Sequence, residues 1–227
     1  KLMNLGIIGS GAMGSGIAQV AATAGCQVCL YDVSTDALQA SQLKLEKILN
    51  RIVQKERITI EKAQSIQQNI QYVHSLEDLS SSELIIEAII ENPGIKKKVF
   101  QELELHVDEN CIIASNTSSL SVTSLGAALE KPERFLGIHF FNPAPLMALV
   151  EIIPAIQTDA SITQRARSII DDWGKTTVLA KDTPGFIVNK VARPFYSEAL
   201  RMYEEGIVDI ATIDWAMKEI GGFRMGP

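Results

Sequence analysis

The chain has 227 residues, of which 46% are hydrophobic and 21% charged, and its formal net charge is -6. This is an ordinary globular composition that excludes a disordered or collagen-like chain, and the acidic balance argues against a nucleic-acid surface. No apolar run is long enough to span a bilayer and no signal peptide is legible, so no membrane partner is expected. Cys26 and Cys29 flank an apolar run and Cys111 opens another; this predicts reduced structural thiols, no metal site and a cytoplasmic compartment. A start at Lys1 and a stop at Gly226-Pro227 predict a piece of something longer.

Residues 2–8 form a short apolar run without helical period, ended by glycines, which is the pattern of a buried parallel strand. A helix is expected next, with Met13, Ile17, Val20 and Ala21 at helical spacing and Gly25 placed for a left-handed C-cap. Residues 26–31 give a second strand ending at Asp32, which completes a βαβ unit. Ser34 is the expected N-cap of a helix reaching Gln54, and Thr59 that of another over 60–68. Their length predicts a projecting helical hairpin. Strands over 70–73, 83–89 and 111–115, with a helix over 93–106, continue the alternation of a doubly wound sheet. Strands over 135–140, 149–153 and 176–179 and a helix over 160–173 follow. After the turn residues 182–185 the pattern is wholly helical, over 186–205 and 210–220. The expected fold class is thus α/β: a Rossmann-type doubly wound sheet over 1–183, then the beginning of an all-helical C-terminal domain over 184–227, expected to be truncated. A tail of that size is too small for a robust core of its own, so it is expected to dock or to be cut short.

Gly9-Ser10-Gly11-Ala12-Met13-Gly14 follows a strand and opens a helix, and Asp32 stands eighteen residues after Gly14 at the next strand end. In that context the glycines serve a tight turn, a close approach of backbone to a pyrophosphate, and helix–strand packing. Asp32 would accept from a ribose diol and repel a 2′-phosphate, which favours NAD over NADP. His139 precedes Glu151 by twelve residues. An imidazole held by a carboxylate has a fixed tautomer and a stabilised protonated form, as proton transfer requires; the other reading is a satisfied core histidine. His74 and His106 read as surface residues. Asn116-Thr117-Ser118-Ser119 lies at the carboxyl edge of the sheet, where it could orient a carbonyl or hydroxyl or cap the following helix. Asn189 is an amide in the first turn of an apolar helix, where it could simply bond between helices, and Glu87 and Glu91 end a strand, where carboxylates could cap the following helix or face the cofactor. Lys96 belongs to a lysine run whose default reading is a solvated face.

These motifs closely resemble the 3-hydroxyacyl-CoA dehydrogenase family over essentially the whole chain. The matching segments are the glycine loop with Asp32, residues 86–92, 115–119, 137–143 with Glu151, and 182–189. The resemblance implies NAD-dependent interconversion of an L-3-hydroxyacyl-CoA and a 3-oxoacyl-CoA, as in fatty-acid β-oxidation. It puts the catalytic pair on His139 and Glu151, a substrate-orienting serine on Ser118 and an active-site asparagine on Asn189. It puts cofactor contacts on Gly9, Ser10, Gly11, Ala12, Met13, Gly14, Asp32, Glu91, Lys96 and Asn116. It also implies an acyl-CoA substrate, a homodimer in the full-length protein, and a lean toward the bacterial short-chain 3-hydroxybutyryl-CoA or 3-hydroxyadipyl-CoA members. One departure is Pro93-Gly94, where many members carry a leucine and a helix former. The alternatives are a 3-hydroxyacid dehydrogenase of the 6-phosphogluconate type, which would use a lysine, and a non-catalytic NAD-binding relative of the lens crystallins.

Overall fold

The computed structural model describes residues 3–227, so Leu2, expected in the first strand, lies outside the described residues. The chain forms two compact units, one extending to Thr183 and one over Pro184–Pro227.

The first unit is built on eight strands: β1 Asn4–Ile8, β2 Gln27–Tyr31, β3 Ile70–Val73, β4 Leu84–Glu87, β5 Ile112–Ser115, β6 Phe135–Phe140, β7 Leu149–Pro154 and β8 Thr176–Leu179. They lie in one sheet in the order β3-β2-β1-β4-β5-β6-β7-β8. Every neighbouring pair is parallel except β6 and β7. The central strands β4 and β5 are buried at every position, which is why they read as unbroken apolar runs rather than alternating ones. Strand order reverses between β1 and β4, and in open α/β sheets the crevice beyond the carboxyl ends at that switch is where ligands collect.

Helix α1, Ala12–Thr23, connects β1 to β2 and buries Ile17, Val20 and Ala21 against the sheet. It ends in a Schellman motif: Gly25 takes φ 98, and the N–H of Cys26 donates to the carbonyl of Ala21 at 3.0 Å. Helices α2, Thr35–Gln54, and α3, Ile60–Gln68, carry the expected caps, with Ser34 accepting from the Ala37 N–H and Thr59 from the Lys62 N–H. The expectation that they project is corrected. Leu38, Leu45 and Leu49 of α2 and Ala63 and Ile66 of α3 belong to the main core cluster, because each helix has one apolar stripe that water would otherwise face.

Helix α4, Pro93–Glu104, begins regularly: the Asn92 side chain accepts from the Ile95 N–H at 3.0 Å, and Pro93 occupies the first turn, where a missing N–H costs nothing. Helices α5, Val122–Gly126, and α6, Ala160–Asp172, complete the layers. His74 is exposed as expected, but His106 is half-buried, a correction. Cys26 and Cys29 have CxxC spacing, yet three residues apart around a strand their side chains leave opposite faces, and all three thiols are free. Burial pushes the Cys111 thiol up to about 12.

In the second unit, α7 spans Val188–Glu204 and α8 spans Ile210–Trp215, with Asp209 capping α8 through the Thr212 N–H. The helix expected over 210–220 is divided, since Ala216–Ile220 form a π-helical turn. Phe195 stacks on Phe223 with ring centroids 5.0 Å apart, and Ile213 is buried.

The packing of α2 generates a test. Leu49→Ala is expected to cost about 2–5 kcal/mol by urea denaturation, as for a buried leucine, whereas a free-standing hairpin would change by less than about 0.5 kcal/mol.

Candidate active site

The carboxyl ends of β1, β2, β4, β5 and β6 bring together three groups of residues. The first is the glycine loop. Gly9 takes φ 102, and its N–H donates to the Tyr31 carbonyl at 2.8 Å, tying the loop to β2. A Cβ on Gly14 would stand 1.8 Å from the Gly9 carbonyl oxygen, so that glycine is required by the fold itself. A Cβ on Gly11 would meet nothing within 4 Å; the space it would fill lies open. Asp32 accepts from the Ser10 N–H and hydroxyl, both at 2.8 Å, and from the Ser34 N–H at 3.0 Å. Burial works to raise its carboxyl, but these donors outweigh that and hold it below the ordinary aspartate range. Its folded pKa being depressed, its contribution to stability is complete above the ordinary range and is lost as pH falls through the lowered value.

A cleft of about 960 Å³ runs along this loop, lined among others by Gly11, Met13, Asp32, Lys44, Ile89 and Ile90. Its size is at the upper end for small-molecule sites. The residues fit a dinucleotide. No side chain caps the first turn of α1, so its free N–H groups and the open face of Gly11 are available to a pyrophosphate, while the Asp32 carboxylate is oriented to accept from a ribose.

The second group joins β4 to the loop after β5. Glu91 accepts from the Thr117 hydroxyl at 2.6 Å, the Ser118 N–H at 3.0 Å and the Ser119 hydroxyl at 3.2 Å. Burial pushes the Glu91 carboxyl up, but Thr117, Ser118 and the Lys96 ammonium together leave it lowered. The default reading of the lysine run, a solvated face, does not hold at Lys96: the side chain is 1% exposed and its ammonium lies between Glu87 at 2.5 Å and Glu91 at 3.3 Å. The signal was present in the helical period, since Lys96 shares the buried stripe of α4 with Phe100 and Leu103. Asn116 accepts the Phe140 N–H through its side-chain oxygen at 2.8 Å, pinning the loop to β6 beside His139.

The third group is His139 and Glu151. They are cross-strand partners in the antiparallel β6–β7 ladder, and Nδ1 of His139 lies 2.7 Å from the Glu151 carboxylate. Glu151 is fully buried and His139 is 5% exposed. A carboxylate only accepts, so the shared proton belongs on Nδ1 and Nε2 is left as the basic atom. The Phe141 ring packs on the imidazole with centroids 4.6 Å apart.

Two further carboxylates are held by the protein itself. Glu87 is fully buried at the end of β4, and Asp182, read only as turn chemistry, accepts from the Ser121 hydroxyl and the Val122 and Thr123 N–H groups at 2.8–2.9 Å. Asn189 lies in the second unit, in the first turn of α7. Among the described residues no cluster of three His, Cys, Asp or Glu could hold a metal ion, and no helix is long and apolar enough to cross a membrane.

Residues 4–183 match the NAD binding domain of 3-hydroxyacyl-CoA dehydrogenase, and residues 185–227 match that enzyme's C-terminal domain. The chain belongs to the 3-hydroxyacyl-CoA dehydrogenase family. It is 40% identical to a 3-hydroxyadipyl-CoA dehydrogenase of Escherichia coli, with 100% of this chain and 48% of that protein covered. It is 41% identical to a 3-hydroxybutyryl-CoA dehydrogenase of Bradyrhizobium diazoefficiens, covering 77% of that protein. The crystal structure of a 3-hydroxybutyryl-CoA dehydrogenase from Escherichia coli superimposes with a TM-score of 0.98 at 40% identity, over 100% of this chain and 48% of that one. That of an (S)-3-hydroxybutyryl-CoA dehydrogenase from Ralstonia eutropha gives 0.97 at 37% identity, over 80% of its length. The chain thus spans about half the length of the Escherichia coli relatives and about three quarters or more of the other two. Membership in the 3-hydroxyacyl-CoA dehydrogenases sets aside the 6-phosphogluconate type and accounts for the Rossmann-type sheet, for which NAD is the family's cofactor.

The two loop glycines separate folding from cofactor binding. Gly14→Ala is expected to lose about 1–3 kcal/mol of stability through its backbone clash. Gly11→Ala should melt with the parent yet bind NADH at least about 10-fold more weakly by fluorescence titration, about 1.4 kcal/mol.

Proposed function

We propose that the full protein catalyses NAD-dependent oxidation of an L-3-hydroxyacyl-CoA to the 3-oxoacyl-CoA, and the reverse. The observation that carries this reading is the buried cross-strand pair, Nδ1 of His139 at 2.7 Å from Glu151, on the same sheet edge as the glycine loop and the Ser118 loop. NAD, when bound, supplies the hydride acceptor. During oxidation Nε2 of His139 takes the proton of the C3 hydroxyl as the C3 hydride departs, and the fully buried Glu151 carboxylate stabilises the imidazolium that results. In reduction the same nitrogen returns the proton. Ser118 is exposed while its backbone is fixed by Glu91, so its hydroxyl is available to orient the reacting oxygen. Asn189 is assigned a second polar contact to substrate, on the strength of the resemblance over 182–189.

Gly9, Ser10, Gly11, Ala12, Met13, Gly14 and Asp32 are proposed to hold the cofactor's pyrophosphate and ribose. Glu91 and Asn116 are proposed to line its nicotinamide end. Lys96, with its ammonium buried between two carboxylates, is assigned to that end through Glu91 rather than by direct contact. The Escherichia coli and Bradyrhizobium diazoefficiens relatives support short-chain substrates, 3-hydroxyadipyl-CoA or 3-hydroxybutyryl-CoA. Residues 184–227 are proposed as the opening of a helical dimerisation domain; α7 and α8 display Val191, Leu200 and Trp215 to solvent, as surfaces awaiting a partner do. A cytoplasmic setting is supported by the three free thiols and the bacterial relatives, although a relative from Homo sapiens is described as mitochondrial.

The decisive assay is oxidation of NADH in the presence of acetoacetyl-CoA by the full-length protein. His139→Ala is expected to reduce kcat by about 10²- to 10⁴-fold with NADH affinity unchanged; turnover at the parent rate would refute the proton-transfer role, and a parent without turnover would favour the non-catalytic crystallin-like reading. Asp32→Ala is expected to weaken NADH binding and erode discrimination against NADPH, read from the ratio of the two kcat/KM values.

A further inference from the structure

The end of β4 carries a fully buried carboxylate that neither cofactor nor substrate has been assigned. Glu87 sits in one row with Ile8 of β1 and Ser115 of β5, so it lies between the strand that delivers the glycine loop and the strand that delivers the Ser118 loop. One of its oxygens accepts from the Lys96 ammonium at 2.5 Å and the Ile89 N–H at 2.7 Å. The other accepts from the Ser115 hydroxyl at 2.7 Å, and that hydroxyl accepts the Thr117 N–H at 3.2 Å. Lys96 reaches onward to Oε2 of Glu91, whose Oε1 gathers Thr117, Ser118 and Ser119. The Ser118 loop is therefore gripped twice, and both grips lead back to Glu87.

We infer that Glu87 is a positioning residue for the reaction: through Lys96 and Ser115 it fixes the Glu91 carboxylate and the loop that presents Ser118. The inference rests on the proposed role of Ser118. The physical reason is charge. A buried ammonium must be neutralised by what surrounds it, and Lys96 has two carboxylates within ion-pair distance. With Glu87 in place, Lys96 is anchored under the sheet and Glu91 keeps one oxygen for the loop. Without the Glu87 charge, Lys96 draws closer to Glu91, and the donors of Thr117, Ser118 and Ser119 lose a carboxylate fixed in place. Fold stability does not require such an ionic arrangement, because a buried ion pair replaced on both sides by apolar groups is often neutral or stabilising. The buried Glu87–Lys96 pair is thus explained by what it holds.

The test uses the full-length protein as reference and three variants: Glu87→Gln, the double variant Glu87→Leu with Lys96→Met, and Ser118→Ala. Each is read by melting temperature, NADH affinity and steady-state turnover of acetoacetyl-CoA. Glu87→Gln is expected to lower kcat by about 10- to 100-fold, the range for a misplacement near 1 Å, with a smaller effect on KM. The double variant is expected to melt below the parent, because the Ser115 hydroxyl and Ile89 N–H lose their acceptor, and to show the loss in kcat at temperatures where it is fully folded, which a purely structural role would not produce. If the double variant recovers kcat, or if Glu87→Gln turns over at the parent rate while Ser118→Ala is impaired, the positioning role is refuted. If Ser118→Ala turns over normally, the assignment of Ser118 fails instead. Should Glu87→Gln not fold, the double variant alone decides.

Discussion

The lateral pairing of β4 between β1 and β5 is the constraint on which the rest depends. Parallel registry puts Ile8, Glu87 and Ser115 side by side, so the glycine loop, the Glu91 segment and the Ser118 loop all leave the sheet at one edge. No side-chain recognition is needed to bring them there. Apolar burial of two-faced strands such as Leu84–Glu87 and Ile112–Ser115 drives the pairing, and the polar residue that ends each of these two strands is buried with its side chain bonded to a neighbour at the carboxyl edge. The fold thus supplies an apolar interior and a polar edge from the same short segments.

That edge carries its charges at unusual depth. Glu87, Lys96 and Glu151 are essentially inaccessible, and each is satisfied by partners contributed from a neighbouring strand or helix. Such groups contribute little net stability, since desolvation offsets most of their mutual attraction. What they provide is geometry: a carboxylate with several donors has one orientation, and that orientation is handed to whatever it touches. Glu91 shows the same logic nearer the surface, where three loop donors converge on a single oxygen.

Much of this was legible in the chain. Caps at Ser34 and Thr59, the strand over Phe135–Phe140 and the glycine loop with Asp32 all follow from local chemistry, and local chemistry is what a sequence displays directly. The apposition of His139 and Glu151 was visible only as a spacing, because their meeting depends on β6 and β7 running antiparallel, a property of the sheet and not of either strand. The burial of Lys96 was hard to see for a different reason: three lysines in a row look like solvent, and the helical phase that buries the first of them alongside Phe100 and Leu103 outweighs the local charge. The helices over Thr35–Gln54 and Ile60–Gln68 were judged by length, when their single apolar stripe was the better guide. Asp182 stayed hidden because its partners, Ser121 to Thr123, lie sixty residues earlier.

The β6–β7 pairing also bears on how this site can change over time. His139 and Glu151 meet because backbone ladders hold them opposite each other, with Gly137 facing Ile153 and Phe140 facing Val150 on either side. The residues between Phe140 and Leu149 have no part in that registry. Insertions or deletions there would leave the ladder that holds His139 opposite Glu151 in register, whereas a one-residue slip within either strand would send the two side chains to opposite faces. The apposition of the two side chains is thereby heritable separately from the length of the segment that joins their strands: what is preserved is a register, and the connection is free to vary around it.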